Sequence, residues 1–162
     1  MAMKFRCSHR SKAADASSIY DVRFTIYDLP AEKMKRQLTI TTERIDETAL
    51  LSKRGLSDGM GAVVCFLGVV RGTEEDRAIS AIEYEAFQQM AEHQFHLLFS
   101  QMEKRWPVES VRVVHRVGVV AVNDSSLWVE VVAPHRGEAF AACQWLIDEM
   151  KRLVPIWKKP LP

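Results

Sequence analysis

The chain has 162 residues, 48% hydrophobic and 27% charged, with 22 Lys and Arg against 21 Asp and Glu for a formal net charge of +1. A chain of this size can bury a full core without disulfides or a structural metal. Its near-neutral balance, without a long Lys/Arg block, excludes a nucleic-acid binder that works by bulk charge. Cys7, Cys65 and Cys143 are scattered and odd in number, the pattern of reduced thiols in a cytoplasmic protein. The longest apolar run, Gly61 to Val70, is far short of the roughly 20 residues that span a bilayer. No apolar stretch follows the basic N-terminus, so no secretory signal is expected.

Residues 1–36 hold eight basic and four acidic residues. Met1 to Ser18 lacks apolar periodicity, so this segment is expected to be a weakly ordered extension ahead of one domain over 37–162. Tyr20 to Leu29 alone has the composition of an edge strand. Leu38 to Thr42 is a short β-prone run, and Asp46-Glu47-Thr48 opens a short helix through Leu51. Arg54 to Gly59 is a loop. Ala62 to Val70, almost wholly apolar, predicts a strand buried on both faces. After the charged loop Arg71 to Arg77, Ile79 to Ala86 alternates Ile82, Tyr84 and Ala86 with solvated Glu83 and Glu85, as a half-buried strand does.

From Gln89 to Trp106, Ala91, Phe95, Leu98 and Met102 recur at helical spacing, and Pro107 closes the helix. Strands Val111 to Val117 and Leu127 to Val132 follow, joined through Gly118 and an Asn123-Asp124-Ser125 turn. Val114, Val119, Val120 and Trp128 are more apolar positions than one buried face needs, which predicts pairing with a second copy. A last helix, Glu138 to Leu153, lines up Phe140, Cys143, Ile147 and Met150 before Pro155 stops it. The order predicts an α+β fold with a mixed, largely antiparallel sheet and helices packed on it.

No metal, phosphate-loop or nucleophile motif is present, and His93 and His96 read as surface histidines on a helix. What remains is cations at breaks in structure. Arg71 lies where a buried strand leaves the core, His135-Arg136 follow Pro134 and open a helix, and Lys151 and Lys158 flank Pro155. Such positions let side chains converge on an anion. After Glu149 every charge is basic, at Lys151, Arg152, Lys158 and Lys159. On spacing alone that run reads either as a solvated face completing a helix C-terminus or as a site for an anionic small molecule or a partner's carboxylate terminus.

These residues also carry a family resemblance. The segments Gly61 to Arg71, Ile82 to Ala86, Arg105-Trp106-Pro107, His115 to Gly118, His135-Arg136 with Ala139-Phe140, and Asp148 to Lys151 leading to Pro155 through Lys159 together resemble the large, catalytic subunit of molybdopterin synthase, the MoaE-like family. The resemblance runs from about Gln37 to Lys159. It implies an α/β-hammerhead-like fold and a sulfurtransferase of molybdenum cofactor biosynthesis, which converts cyclic pyranopterin monophosphate into molybdopterin by installing two dithiolene sulfurs. The donor would be a thiocarboxylate on the C-terminal Gly-Gly tail of a small ubiquitin-like partner subunit. The large subunit would pair as a homodimer within a heterotetramer, without metal or organic cofactor. Substrate, donor and the oxygen that gains charge on sulfur attack are all anionic, so fixed cations in a partly desolvated slot oppose each charge. The resemblance assigns Lys151 and Lys158 as catalytic, either of them a proton donor if desolvation lowers its pKa. It assigns Arg71, His135 and Arg136 to the phosphate and pterin, and Phe66 to the wall of the slot.

The family continues past the Trp-Lys-Lys motif, whereas this sequence ends at Pro160-Leu161-Pro162. The loop Gly72 to Ala78 is short and acidic where more polar loops are common. The alternative reading is a non-catalytic partner-binding scaffold that has lost turnover with that tail, although a scaffold needs neither lysine. An RNA-binding module ranks below both, because Phe66, Tyr84 and Trp128 lie in apolar strand patterns and not on an exposed stacking surface.

Overall fold

A computed structural model describes residues 33–162. The expected extension up to residue 32, with the candidate strand Tyr20 to Leu29, lies outside the described residues. The elements in chain order are β1 (Lys35–Thr41), α1 (Glu47–Ser52), β2 (Ala62–Val69), β3 (Thr73–Glu74), β4 (Arg77–Ala78), β5 (Ala81–Ala86), α2 (Gln88–Arg105), β6 (Ser110–Arg116), β7 (Gly118–Ala121), β8 (Ser125–Ala133), α3 (Arg136–Leu153) and β9 (Ile156–Leu161). β1 begins two residues before the expected domain start at 37. Met34 just ahead of it is 3% exposed within the core, and its backbone N–H donates to Glu103 Oε1 at 2.8 Å.

The main sheet has the order β1-β6-β8-β2, with β1 parallel to β6 and the other pairs antiparallel. The α+β expectation is thus borne out. Helices α2 and α3 bury Ala91, Phe95, Leu98, Phe99 and Met102, and Ala142, Cys143, Leu146, Ile147 and Met150, against Val111, Val113, Leu127, Val129 and Val131 of the sheet. Both helices end at a residue before proline. Trp106 (φ −138°, ψ 147°) and Val154 (φ −81°, ψ 126°) are extended, because the proline ring excludes the helical region from its predecessor. The short α1 is started by Asp46, whose Oδ1 accepts from the Ala49 N–H at 2.9 Å.

The second face of the sheet is closed by charge. Glu130, 1% exposed, accepts from Arg54 Nε at 2.7 Å and from its register partner Arg112 Nε at 2.8 Å. Arg112 also lies over the Trp128 ring, 4.9 Å from its centroid, and donates to the Leu50 carbonyl. β8 is therefore buried on both faces over almost its whole length.

Several expectations need correcting. Among the described residues β2 is an edge strand, paired with β8 alone and half-buried except at the exposed Cys65 and Val69, because an apolar run reads alike at the centre and at the edge of a sheet. Val114, Val120 and Trp128 lie inside the chain, and only Val119 of those four is exposed, at 54%. Phe140 is off the helix stripe and 63% exposed. The charged loop contains the β3–β4 hairpin, while β7 and β9 join β5 in a three-stranded sheet of order β7-β5-β9 that the sequence pattern did not predict. Among the described residues no helix is long and apolar enough to cross a membrane.

Candidate active site

The proline break after α3 builds the site. Lys151 sits in the last turn of α3, where a cation complements the helix dipole, and Pro155 then turns the chain into β9. β9 runs antiparallel to β5, with Trp157, Lys158 and Lys159 opposite Glu85, Tyr84 and Glu83. Strand alternation sends Lys158 and Tyr84 to one side, where both line a cleft of about 400 Å³. Lys159 faces the other way, its Nζ 3.7 Å from Glu83 Oε2. From the opposite wall, β2 brings Phe66, and the register irregularity at Gly68/Val69 precedes Arg71, which also lines the cleft. Ile82, Leu127, Met150 and Ile156 supply apolar wall.

Arg71, Lys151, Lys158 and Phe66 are thus brought together from three separate parts of the chain. His135 and Arg136 are not. They sit exposed at the N-terminus of α3, and the fifteen residues from Arg136 to Lys151 correspond to about 22 Å of helix.

Three further residues, none assigned from the sequence, complete the cleft. Glu74 on β3 accepts a hydrogen bond from the Lys158 ammonium, and its Oε2 lies 3.6 Å from Arg71 Nη2. The Lys158 hydrogen bond holds the Glu74 carboxyl below its ordinary value, against the opposing effect of burial. His115, 5% exposed, packs edge-on to Tyr84 with ring centroids 5.6 Å apart, and its Nδ1 is 2.9 Å from the Arg116 carbonyl oxygen. A carbonyl only accepts, so Nδ1 carries the proton, and burial keeps the imidazole below its ordinary pKa and neutral. His115 and Tyr84 fall in segments that carry the family resemblance, and Glu74 in the acidic loop. The signals were present, but only the β5–β9 pairing shows that they converge.

A second depression of about 380 Å³ includes Lys35, Arg36, Lys53 and Arg112. Its cations are largely spent on neighbours: Lys35 pairs with Glu109, Arg36 with Glu103 and Arg112 with Glu130. The cleft at Lys158 is the better anion site, with three cations against one carboxylate among the described residues.

Residues 40–153 match the family model described as MoaE protein, a stretch that contains Lys151 and stops short of Lys158. The molybdopterin synthase catalytic subunit of Bos taurus is 36% identical over 132 residues, covering 80% of this chain and 68% of its own. That of Thermoplasma volcanium is 35% identical over 122 residues, covering 75% and 88%. Molybdopterin synthase from Staphylococcus aureus shares the fold with a TM-score of 0.69 at 31% identity, over 76% of this chain and 89% of that one. A complex of subunits 1 and 2 of the molybdopterin-converting factor from Helicobacter pylori shares it with a TM-score of 0.64 at 22% identity, over 76% and 83%. Together, fold and matches define a sulfurtransferase class that acts in molybdenum cofactor biosynthesis. The chain belongs to the MoaE protein family, that of the molybdopterin synthase catalytic subunits.

Proposed function

We propose that the cleft is where this chain transfers sulfur to cyclic pyranopterin monophosphate, and that Lys151 and Lys158 are its catalytic cations. The observation that carries the reading is the convergence of Arg71, Lys151 and Lys158 on one cleft with an apolar wall. A phosphate-bearing heterocycle and a thiocarboxylate tail both match that combination of charge and surface. Cations already in place stabilise the oxygen that gains charge when sulfur attacks, without reorganisation during the reaction. Both lysines are exposed in the isolated chain, so desolvation would come with the arriving tail and substrate.

The sulfur donor in this reading is a small ubiquitin-like subunit with a Gly-Gly thiocarboxylate, consistent with the two-subunit complex of the Helicobacter pylori factor. His135 and Arg136 lie far along α3 from Lys151 in the same chain, so they serve the cleft from a second copy: a homodimer sharing residues between its sites, with one small subunit at each end of the resulting heterotetramer. A reducing cytoplasm suits the thiocarboxylate and the free thiols of Cys65 and Cys143.

Mixing the full chain with a thiocarboxylated Gly-Gly-ending partner and the pyranopterin substrate tests the function. Molybdopterin should form in proportion to enzyme. Partner binding without product would contradict the catalytic reading and favour the scaffold.

A further inference from the structure

Among the described residues, the Glu74 carboxylate is the one acidic side chain lining the cleft, and it sits on the two cations that reach it. Its side chain is 13% exposed, against 55% for Lys158 and 79% for Arg71, so the carboxylate is the inner member of the cluster. An anion entering to meet Arg71 and Lys158 meets an occupied position. We propose that Glu74 is a resident surrogate anion: it holds Lys158 and Arg71 converged while the cleft is empty and is displaced by the incoming anion, so that it sets the anion affinity of the site. The inference rests on the reading of the cleft as an anion site and adds a positioning residue to it.

The element carrying Glu74 is suited to giving way. β3 and β4 have two residues each and, among the described residues, pair only with each other. The turn between them puts Glu75 (φ 49°) and Asp76 (φ 60°) consecutively in the left-handed region, which suits a tight hairpin turn but favours glycine or asparagine over glutamate. Such a hairpin has little of its own structure to lose by moving. The cationic ends of both pairs are open to solvent, at 55% and 79% exposure, which keeps the pairs weak, so an anion of higher charge that reaches both cations displaces the carboxylate without a large penalty. While Glu74 stays ionised, it also keeps a negative charge inside the cleft that disfavours weakly charged competitors.

The test is titration of the full chain with inorganic phosphate, followed by amide chemical shifts. Glu74→Gln keeps the shape and removes the charge, and should bind phosphate about two- to fivefold more tightly, the range expected for losing one competing ion pair whose cation is open to solvent. Glu75→Gln, which removes a charge from the same hairpin, should change affinity much less. In turnover, Glu74→Gln should lower KM without raising kcat, whereas a purely structural role for Glu74 would raise KM. Unchanged or weaker phosphate binding by Glu74→Gln overturns the proposal, and so does an equal gain in Glu75→Gln, which would reduce the effect to net charge. The phosphate titration does not depend on sulfur transfer. A chain that shows the Glu74→Gln gain but makes no molybdopterin would refute the enzymatic reading and leave the surrogate anion standing.

Discussion

Lys158 and Lys159 are neighbours with opposite surroundings: one enters the cleft beside Glu74, while the other leans on Glu83 across β5. In the sequence the two are indistinguishable members of a basic run. The resemblance singled out Lys158, but the physical reason is the alternation of β9, which Pro155 and Pro160 hide from any strand pattern. His115 was legible as part of a motif and not as part of a site, because burial beside Tyr84 depends on long-range pairing. It yields a pH prediction. Free histidine titrates near 6.5, and burial depresses the folded value. Between the two values the unfolded chain binds a proton that the folded chain does not, so stability rises with pH through that window and falls as pH drops below about 6.5. Urea unfolding at pH 7.5, 6.5 and 5.5 should show this loss in the native chain and a flatter profile in His115→Gln. Parallel profiles would mean that the ring is solvated. Glu103 and Glu109, whose folded values lie below the ordinary carboxylate value, add their own loss of stability at more acidic pH.

At the level of elements, the two long helices are legible from their period and the short α1 from its Asp46 cap, whereas β3, β4, β7 and β9 are not legible. α2 and α3 repeat their apolar positions over five turns and end at prolines, so periodicity and punctuation agree. β7 has four residues, β3 and β4 two each, and β9 contains a proline, so none gives a usable period. Pro160 is tolerated because β9 is at the edge of its sheet, where a missing N–H is not needed by a further strand. Glu130 is the one charged residue of β8, and only the register with Arg112 and the reach of Arg54 explain it. Removing a buried carboxylate that neutralises two guanidinium groups leaves uncompensated charge behind. Glu130→Ala should therefore lose about 3–5 kcal/mol of stability by denaturant unfolding. A loss under about 1 kcal/mol, the scale of an exposed pair, would show that the network is solvated and contributes little.

For the whole molecule, the separation of His135 and Arg136 from the cleft decides the assembly the proposal needs. Of Val114, Val119, Val120 and Trp128, the apolar positions that predict a dimer from the sequence, three are internal. The present reason is different: two proposed anion contacts lie a helix length from the site they would serve. Sedimentation of the isolated chain should report a dimer, and Arg136→Ala mixed with Lys158→Ala should regain activity that neither has alone, because one mixed site would keep both residues intact. A monomer at micromolar concentration would remove His135 and Arg136 from the site. The central claim, that the cleft cations perform chemistry and do not merely form a solvated face, is tested most directly by molybdopterin formation in Lys151→Ala, Lys158→Ala and Lys159→Ala. The first two should lose on the order of 10²-fold or more in rate while stability changes by no more than about 0.5 kcal/mol, and Lys159→Ala should stay near the native rate. Small and equal effects at all three positions would contradict the account.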